Sequence, residues 1–244
     1  MFRILVAFGS NDLKSVRRDS LLLGILFAPW LFVIPVRLLV PSLTDLLMTR
    51  YNFNLVNFYE LILSFVFLLN IPLLFGVLMG FLVLDERDEN TLTALRVTPI
   101  SVMGFVTYRV LMATLISILY NLICLPLTGL IPMSVFPEIV PVTLVASLFA
   151  PVLSLFLVSF ANNKVEGLAF AKGLGVLVVG PLVSYFVNSQ WQLMFGILPT
   201  YWSAKAFWLA VNGQPYLFYL LGGLVYHLLL LFWFLNRFQK KVQD

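Results

Sequence analysis

The sequence predicts an all-α integral membrane protein in which one domain, residues 1–244, crosses the bilayer six times. Three observations carry this reading. Hydrophobic residues make up 61% of the chain and charged residues 11%, against roughly 45–50% and about 25% in soluble domains. A soluble fold could not cover that much apolar surface, so lipid is the solvent the chain requires. Charge-poor apolar stretches, of the ~20 residues needed to cross a bilayer, recur at about 21–40, 60–84, 104–129, 139–161, 168–188 and 216–236. With the N-terminus inside, twelve of the fifteen Lys and Arg fall in inner segments, leaving only Arg37, Arg50 and Lys205 outside. That asymmetry satisfies the positive-inside rule with both termini cytoplasmic, which needs an even number of spans.

Residues 1–20 precede the first span. Phe2, Ile4, Leu5, Val6, Phe8, Leu13 and Val16 are apolar, while Lys14, Arg17 and Arg18 suit lipid headgroups. This is the pattern of a helix lying on the inner membrane surface. No small-x-small cleavage pattern follows the first apolar run, so that run is expected to be retained as a span. It holds Pro29, Pro35 and Arg37, which makes it the least regular of the six. Arg37 is expected to snorkel on its long stem to the interface.

Between the second and third spans the chain reads Asp85-Glu86-Arg87-Asp88-Glu89-Asn90-Thr91-Leu92, then Leu95, Arg96 and Thr98-Pro99-Ile100-Ser101. Acids at the start suit the positive end of a helix dipole. Leu92, Leu95 and Ile100 give a sparse apolar stripe, Pro99 disfavours helix at Thr98, and Ser101 is a natural N-cap for the third span. A short amphipathic helix parallel to the membrane follows, presenting a charged face to the cytoplasm; a solvated connector with no partner is the plainer alternative. On the outer side, residues 188–215 are too apolar for a free loop and too interrupted, by Gly196, Pro199 and Gly213, for a span. They read as a re-entrant or interfacial helical hairpin, with Trp191, Tyr201, Trp202 and Trp208 at headgroup level.

Few residues invite a catalytic reading. The lone Cys124 and lone His227 both sit in apolar runs. With one of each, no His-based metal cluster or paired-Cys site can form, and no catalytic or metal-binding residue is assigned. His227 lacks an acid on its own span and is expected to be neutral and hydrogen-bonded. Glu60 is expected at the outer interface, and Arg109 and Lys172 are expected to snorkel from the inner ends of their spans. No phosphate-binding Gly-x-x-x-x-Gly-Lys-Ser/Thr loop is present, and nothing points to a nucleic-acid partner.

The ordered set of these segments resembles the permease subunits of type-2 ABC exporters. The resemblance rests on the 85–92 cluster with Leu95 and Thr98-Pro99-Ile100-Ser101, and on Leu13-Lys14-Ser15-Val16-Arg17-Arg18-Asp19 before the first span. It extends to Asn162-Asn163-Lys164-Val165-Glu166-Gly167 in the second inner loop, and to Leu198-Pro199-Thr200-Tyr201-Trp202 with Ala206-Phe207-Trp208 before the last span. Asn90 stands where the family commonly has Gly. The resemblance implies a permease working as a dimer, with a second copy or a related permease, in a bacterial inner membrane. Two separate ATPase subunits would bind ATP and Mg²⁺, so the chain itself would be non-enzymatic and carry no cofactor. It also implies that the 85–99 loop is the coupling helix, with Glu86, Arg87, Glu89, Thr91, Leu92, Leu95, Arg96, Thr98 and Pro99 as its contact surface. Asp12, Arg17 and Arg18 would brace the first span, and Lys164 and Glu166 would make a second contact. Two other function classes stay open on the residues alone. A secondary transporter or channel would want more buried charge. A membrane transferase built on the acidic 85–89 cluster would want acids converging from several helices.

Overall fold

A computed structural model describes residues 2–89, 102–187 and 189–243. Of the segments singled out above, Thr91, Leu92, Leu95, Arg96, Thr98, Pro99 and Ser101 lie outside the described residues, as does most of the coupling helix. Every regular element described is helical, and six helical segments are long and apolar enough to cross a membrane: Ser20–Tyr51, Leu55–Asp88, Gly104–Leu127, Met133–Phe160, Lys164–Tyr185 and Leu217–Lys241.

Helix α1 (Phe2–Arg18) precedes the long first-span helix α2 (Ser20–Tyr51). Asp19 separates them and caps α2, its Oδ1 accepting from the amides of Leu21 and Leu22 at 2.8 and 3.2 Å. This side-chain oxygen satisfies amides that have no partner inside a helix. α2 runs eleven residues beyond the expected end at 40, through Pro29, Pro35 and Pro41. Ser42, Thr44 and Thr49 in this extension each donate to the carbonyl four residues earlier, which satisfies their hydroxyls within the helix. Asn52 then stops the helix in a left-handed conformation at φ 51°, one that Asn tolerates better than most residues.

The second span begins with a 3₁₀ turn and short α3 (Tyr59–Leu63). It passes through a π-helical stretch, Ser64–Leu69, and continues as α4 (Asn70–Asp88). The third span is α5 (Val102–Leu127). The fourth is α6 (Phe136–Ser147) and α7 (Phe149–Phe160); the fifth is α8 (Lys164–Gly173) and α9 (Val176–Tyr185). A 3₁₀ segment, Gln190–Ile197, and α10 (Pro199–Val211) form the hairpin before the last helix, α11 (Leu217–Gln243).

The second and fourth spans are the core, with 67% and 83% of their apolar windows buried, against 22–28% in the other four. Glycine explains why α4 and α7 can approach so closely. A Cβ on Gly76 would lie 2.6 Å from the Ala150 carbonyl oxygen, and one on Gly80 would lie 2.8 Å from Leu157 Cδ1. Two glycines four apart open a groove on one helix face. Lipid gives helices little hydrophobic reason to associate, so such close packing supplies much of the attraction.

α10 does not lie free on the surface but packs among the other helices. Tyr201, Ala204, Phe207 and Trp208 are buried, and α10 packs on α6, α9, α11 and the π stretch. Tyr201 and Trp208, expected at headgroup level, therefore lie inside the bundle; Trp208 Nε1 donates to Ser64 Oγ at 2.8 Å. Only the 3₁₀ limb keeps the expected exposure, with Trp191 70% accessible.

Candidate functional site

Both chain termini, the end of α4, the start of α5 and the 161–164 turn meet at one end of the bundle. Here the last turn of α4 engages its neighbours with four consecutive charged side chains, Asp85 and Asp88 on one side toward Lys164 and Glu86 and Arg87 toward other partners. Asp85 Oδ2 accepts from Lys164 Nζ at 2.7 Å, and Glu86 Oε1 accepts from Arg109 Nη2 at 2.6 Å. Arg87 donates to the carbonyls of Ala161 and Val158 at 2.8 and 3.1 Å, and Asp88 Oδ2 accepts from the Lys164 amide at 3.1 Å. At roughly 100° of turn per residue, four successive side chains cannot share a face. An unbroken charge run at this point therefore ties α4 to several neighbours at once.

Arg109 is the hub. Its side chain is 3% exposed. It lies about two turns into α5, and its guanidinium donates to Asp12 Oδ2 at 2.7 Å as well as to Glu86. Tyr108 also donates to Asp12 Oδ2, at 2.5 Å. The Phe105 and Tyr108 rings lie 5.1 and 5.3 Å from the guanidinium carbon. The triad joins α1, α4 and α5, and it forces three corrections. Arg109 does not snorkel. Asp12 does not brace the first span but reaches across to α5. Glu86 does not face the cytoplasm: it is 8% exposed and turned inward. The cause is the same in all three, because a buried guanidinium requires acids around it.

A second cluster surrounds Lys164, whose amine bridges Asp19 Oδ2 at 2.6 Å and Asp85 Oδ2 at 2.7 Å. It thereby joins the α1–α2 corner to α4 and α8. That hydrogen bond is the main reason the Asp19 carboxyl is held below its ordinary value of 3.8. Asn163 caps α8 through the Glu166 amide at 2.9 Å, and Glu166 Oε2 accepts from the Asn162 amide at 2.8 Å. Both residues expected as a second partner contact are thus engaged within the chain. A third group caps α7: besides Arg87, Lys241 donates to the carbonyls of Ala161 and Ser159 at 2.9 and 3.3 Å. Terminal carbonyls lack partners in a helix, and cations there also complement the dipole. Among the expected surface residues, Glu89, Arg17 and Arg18 are exposed.

The helices that flank residues 90–101 are therefore clamped to their neighbours, α4 through residues 85–88 and α5 through Tyr108 and Arg109. The sequence held one signal of this: an arginine inside an apolar run requires an acid near it. Asp12 and Glu86, 97 and 23 residues away, could not be picked out as its partners.

At the opposite end Glu60, expected to be interfacial, is 8% exposed. Its Oε1 accepts from the Tyr185 hydroxyl at 2.7 Å and from Asn212 Nδ2 at 3.4 Å. His227 is fully buried, with Nδ1 bonded to the Gly223 carbonyl at 2.7 Å, which agrees with a hydrogen-bonded structural role.

A family model described as fluoroquinolones export permease protein Rv2686c-like matches residues 12–235. The fluoroquinolones export permease proteins MT2760 and Rv2686c, from two strains of Mycobacterium tuberculosis, are each 40% identical to this chain over 240 residues. The alignment covers 98% of the chain and 95% of each relative. No solved structure matches.

Proposed function

This chain belongs to the Rv2686c-like family of fluoroquinolones export permease proteins, and from that premise we propose that it is the membrane-spanning, non-catalytic half of an ATP-driven drug exporter. Two copies, or one copy and a related permease, form the pathway in the plasma membrane. Separate ATPase subunits carry the ATP and Mg²⁺. The end of the bundle holding both termini faces the cytoplasm, in keeping with the twelve-to-three division of basic residues.

The observation that carries the mechanism is the clamp around 90–101. ATP-driven closure of the ATPases pushes the loop. The last turn of α4 takes the push directly, Asp85 and Arg87 hand it to the 161–164 turn, and Arg109, held by Glu86, passes it into α5 and through Asp12 to α1. Glu89, Thr91, Leu92, Leu95 and Arg96 are the residues proposed to touch the ATPase, with Thr98 and Pro99 ending the coupling helix. Glu86 and Arg87 act behind that surface, as struts. The substrates are drugs of the quinolone type named for the relatives.

The test is a mild-detergent pull-down of the tagged chain from native membranes, followed by mass spectrometry and an ATP hydrolysis assay. The expected result is a stoichiometric partner with a phosphate-binding loop, and hydrolysis that falls when Leu92 and Leu95 are both replaced by Ala. A chain recovered alone from an extraction that preserves other membrane complexes would contradict the proposal.

A further inference from the structure

The end of the bundle away from the termini holds a cavity of about 480 Å³ between the start of the second span, the end of the fifth and α10. Its size lies within the ~300–1,000 Å³ of ordinary small-molecule sites. Two opposite charges line it, Glu60 and Lys205. The carboxylate is buried, and both of its donors, Tyr185 and Asn212, address Oε1. Oε2 is thus left for a further donor. The amine of Lys205 makes no salt bridge among the described residues, and burial holds its pKa below the ordinary 10.5. Aromatic rings form the rest of the wall. Tyr185 and Trp208 meet edge to face at 4.9 Å, and Phe58 lies 6.2 Å from Tyr185. Trp208 is fixed by its bond to Ser64 in the π-helical stretch, and such stretches are frequent at functional sites.

We propose that this cavity binds a planar aromatic zwitterion on its way through the exporter, with its cationic amine at Glu60, its carboxylate at Lys205 and its rings against Tyr185 and Phe58, with Trp208 backing Tyr185. This rests on the export reading above and deepens it by giving the substrate a site and a charge pattern. The chemistry is complementary at each point. A buried carboxylate and a half-buried amine each gain a counter-charge, and flat rings find aromatic faces. A zwitterion has no net charge, so it meets both requirements without leaving excess charge in a desolvated site.

The test uses the full complex in nanodiscs and three fluorescent probes, measured by equilibrium dialysis: norfloxacin, its ethyl ester, which keeps only the cation, and its N-acetyl derivative, which keeps only the anion. Glu60→Gln should weaken norfloxacin and the ester about tenfold and leave the N-acetyl compound unchanged. Lys205→Gln should weaken norfloxacin and the N-acetyl compound about tenfold and spare the ester, the loss expected for one charge-assisted hydrogen bond. Lys205 is only partly buried, so its variant decides the matter even if the Glu60 variant misfolds. Unchanged affinities in folded variants of a complex that still takes up norfloxacin with ATP would overturn this site and leave the export reading standing. A wild-type complex that neither binds norfloxacin nor takes it up into inside-out vesicles would overturn both.

Discussion

Arg109 shows what one charge controls in this protein. It neutralises one of two buried carboxylates and is hydrogen-bonded to both. Arg109→Met would leave Asp12 and Glu86 facing each other without a cation. Removing one partner of a buried ion pair costs about 3–5 kcal/mol, so the variant should unfold well below wild type in a detergent thermal melt. Adding Asp12→Asn and Glu86→Gln removes the uncompensated charge and should recover much of the loss; no recovery would mean the triad is not the cause. The Asp19–Lys164 pair is more exposed, with both side chains near 28–29%, and is worth only about 0.2–1 kcal/mol. Its sign with pH follows from the lowered Asp19 value. The contribution is complete above the ordinary 3.8 and disappears as the pH falls through the lower folded value. Lys164→Met should therefore narrow the gap in stability between pH 6 and pH 3. An unchanged gap would show that the pair contributes nothing measurable.

Helices were more legible than their contacts. Apolar length located all six spans, because a bilayer imposes a length that sequence must meet. The end of α2 was not legible. Its extension past residue 40 carries Asp45 and Arg50 and ends at an Asn cap, which hydropathy does not register. The inward placement of α10 was also hidden. Its Trp and Tyr residues look interfacial by type, and only the tertiary partner Ser64 turns Trp208 inward. At this scale glycine gives the sharpest prediction. Gly76→Val places branched atoms against the Ala150 backbone and Leu153 and should destabilise the α4–α7 contact by about 1–3 kcal/mol. At Gly24 nothing lies within 4 Å, so Gly24→Ala should be neutral or slightly stabilising. Hydrogen exchange along α4 and α7 reads the difference. Equal protection in the two variants would mean the close packing is not what holds the core.

In the molecule as a whole, two buried spans carry four whose surfaces are largely exposed in the single chain, and the charged groups collect at the two ends of the core. The candidate coupling network was only partly legible. The 85–89 run pointed to the last turn of α4, but the inward placement of Glu86 and Asp12 depends on Arg109 and on a fold that joins distant segments. The network is proposed to carry motion between residues 90–101 and the spans. This role is tested most directly in proteoliposomes holding the complete exporter, by measuring ATP hydrolysis and norfloxacin uptake together. The comparison is between wild type and the charge-neutral triple variant Asp12→Asn, Glu86→Gln, Arg109→Met. The variant should assemble and hydrolyse ATP but transport at least tenfold less drug per ATP. A variant that transports as much drug per ATP as wild type would contradict that role.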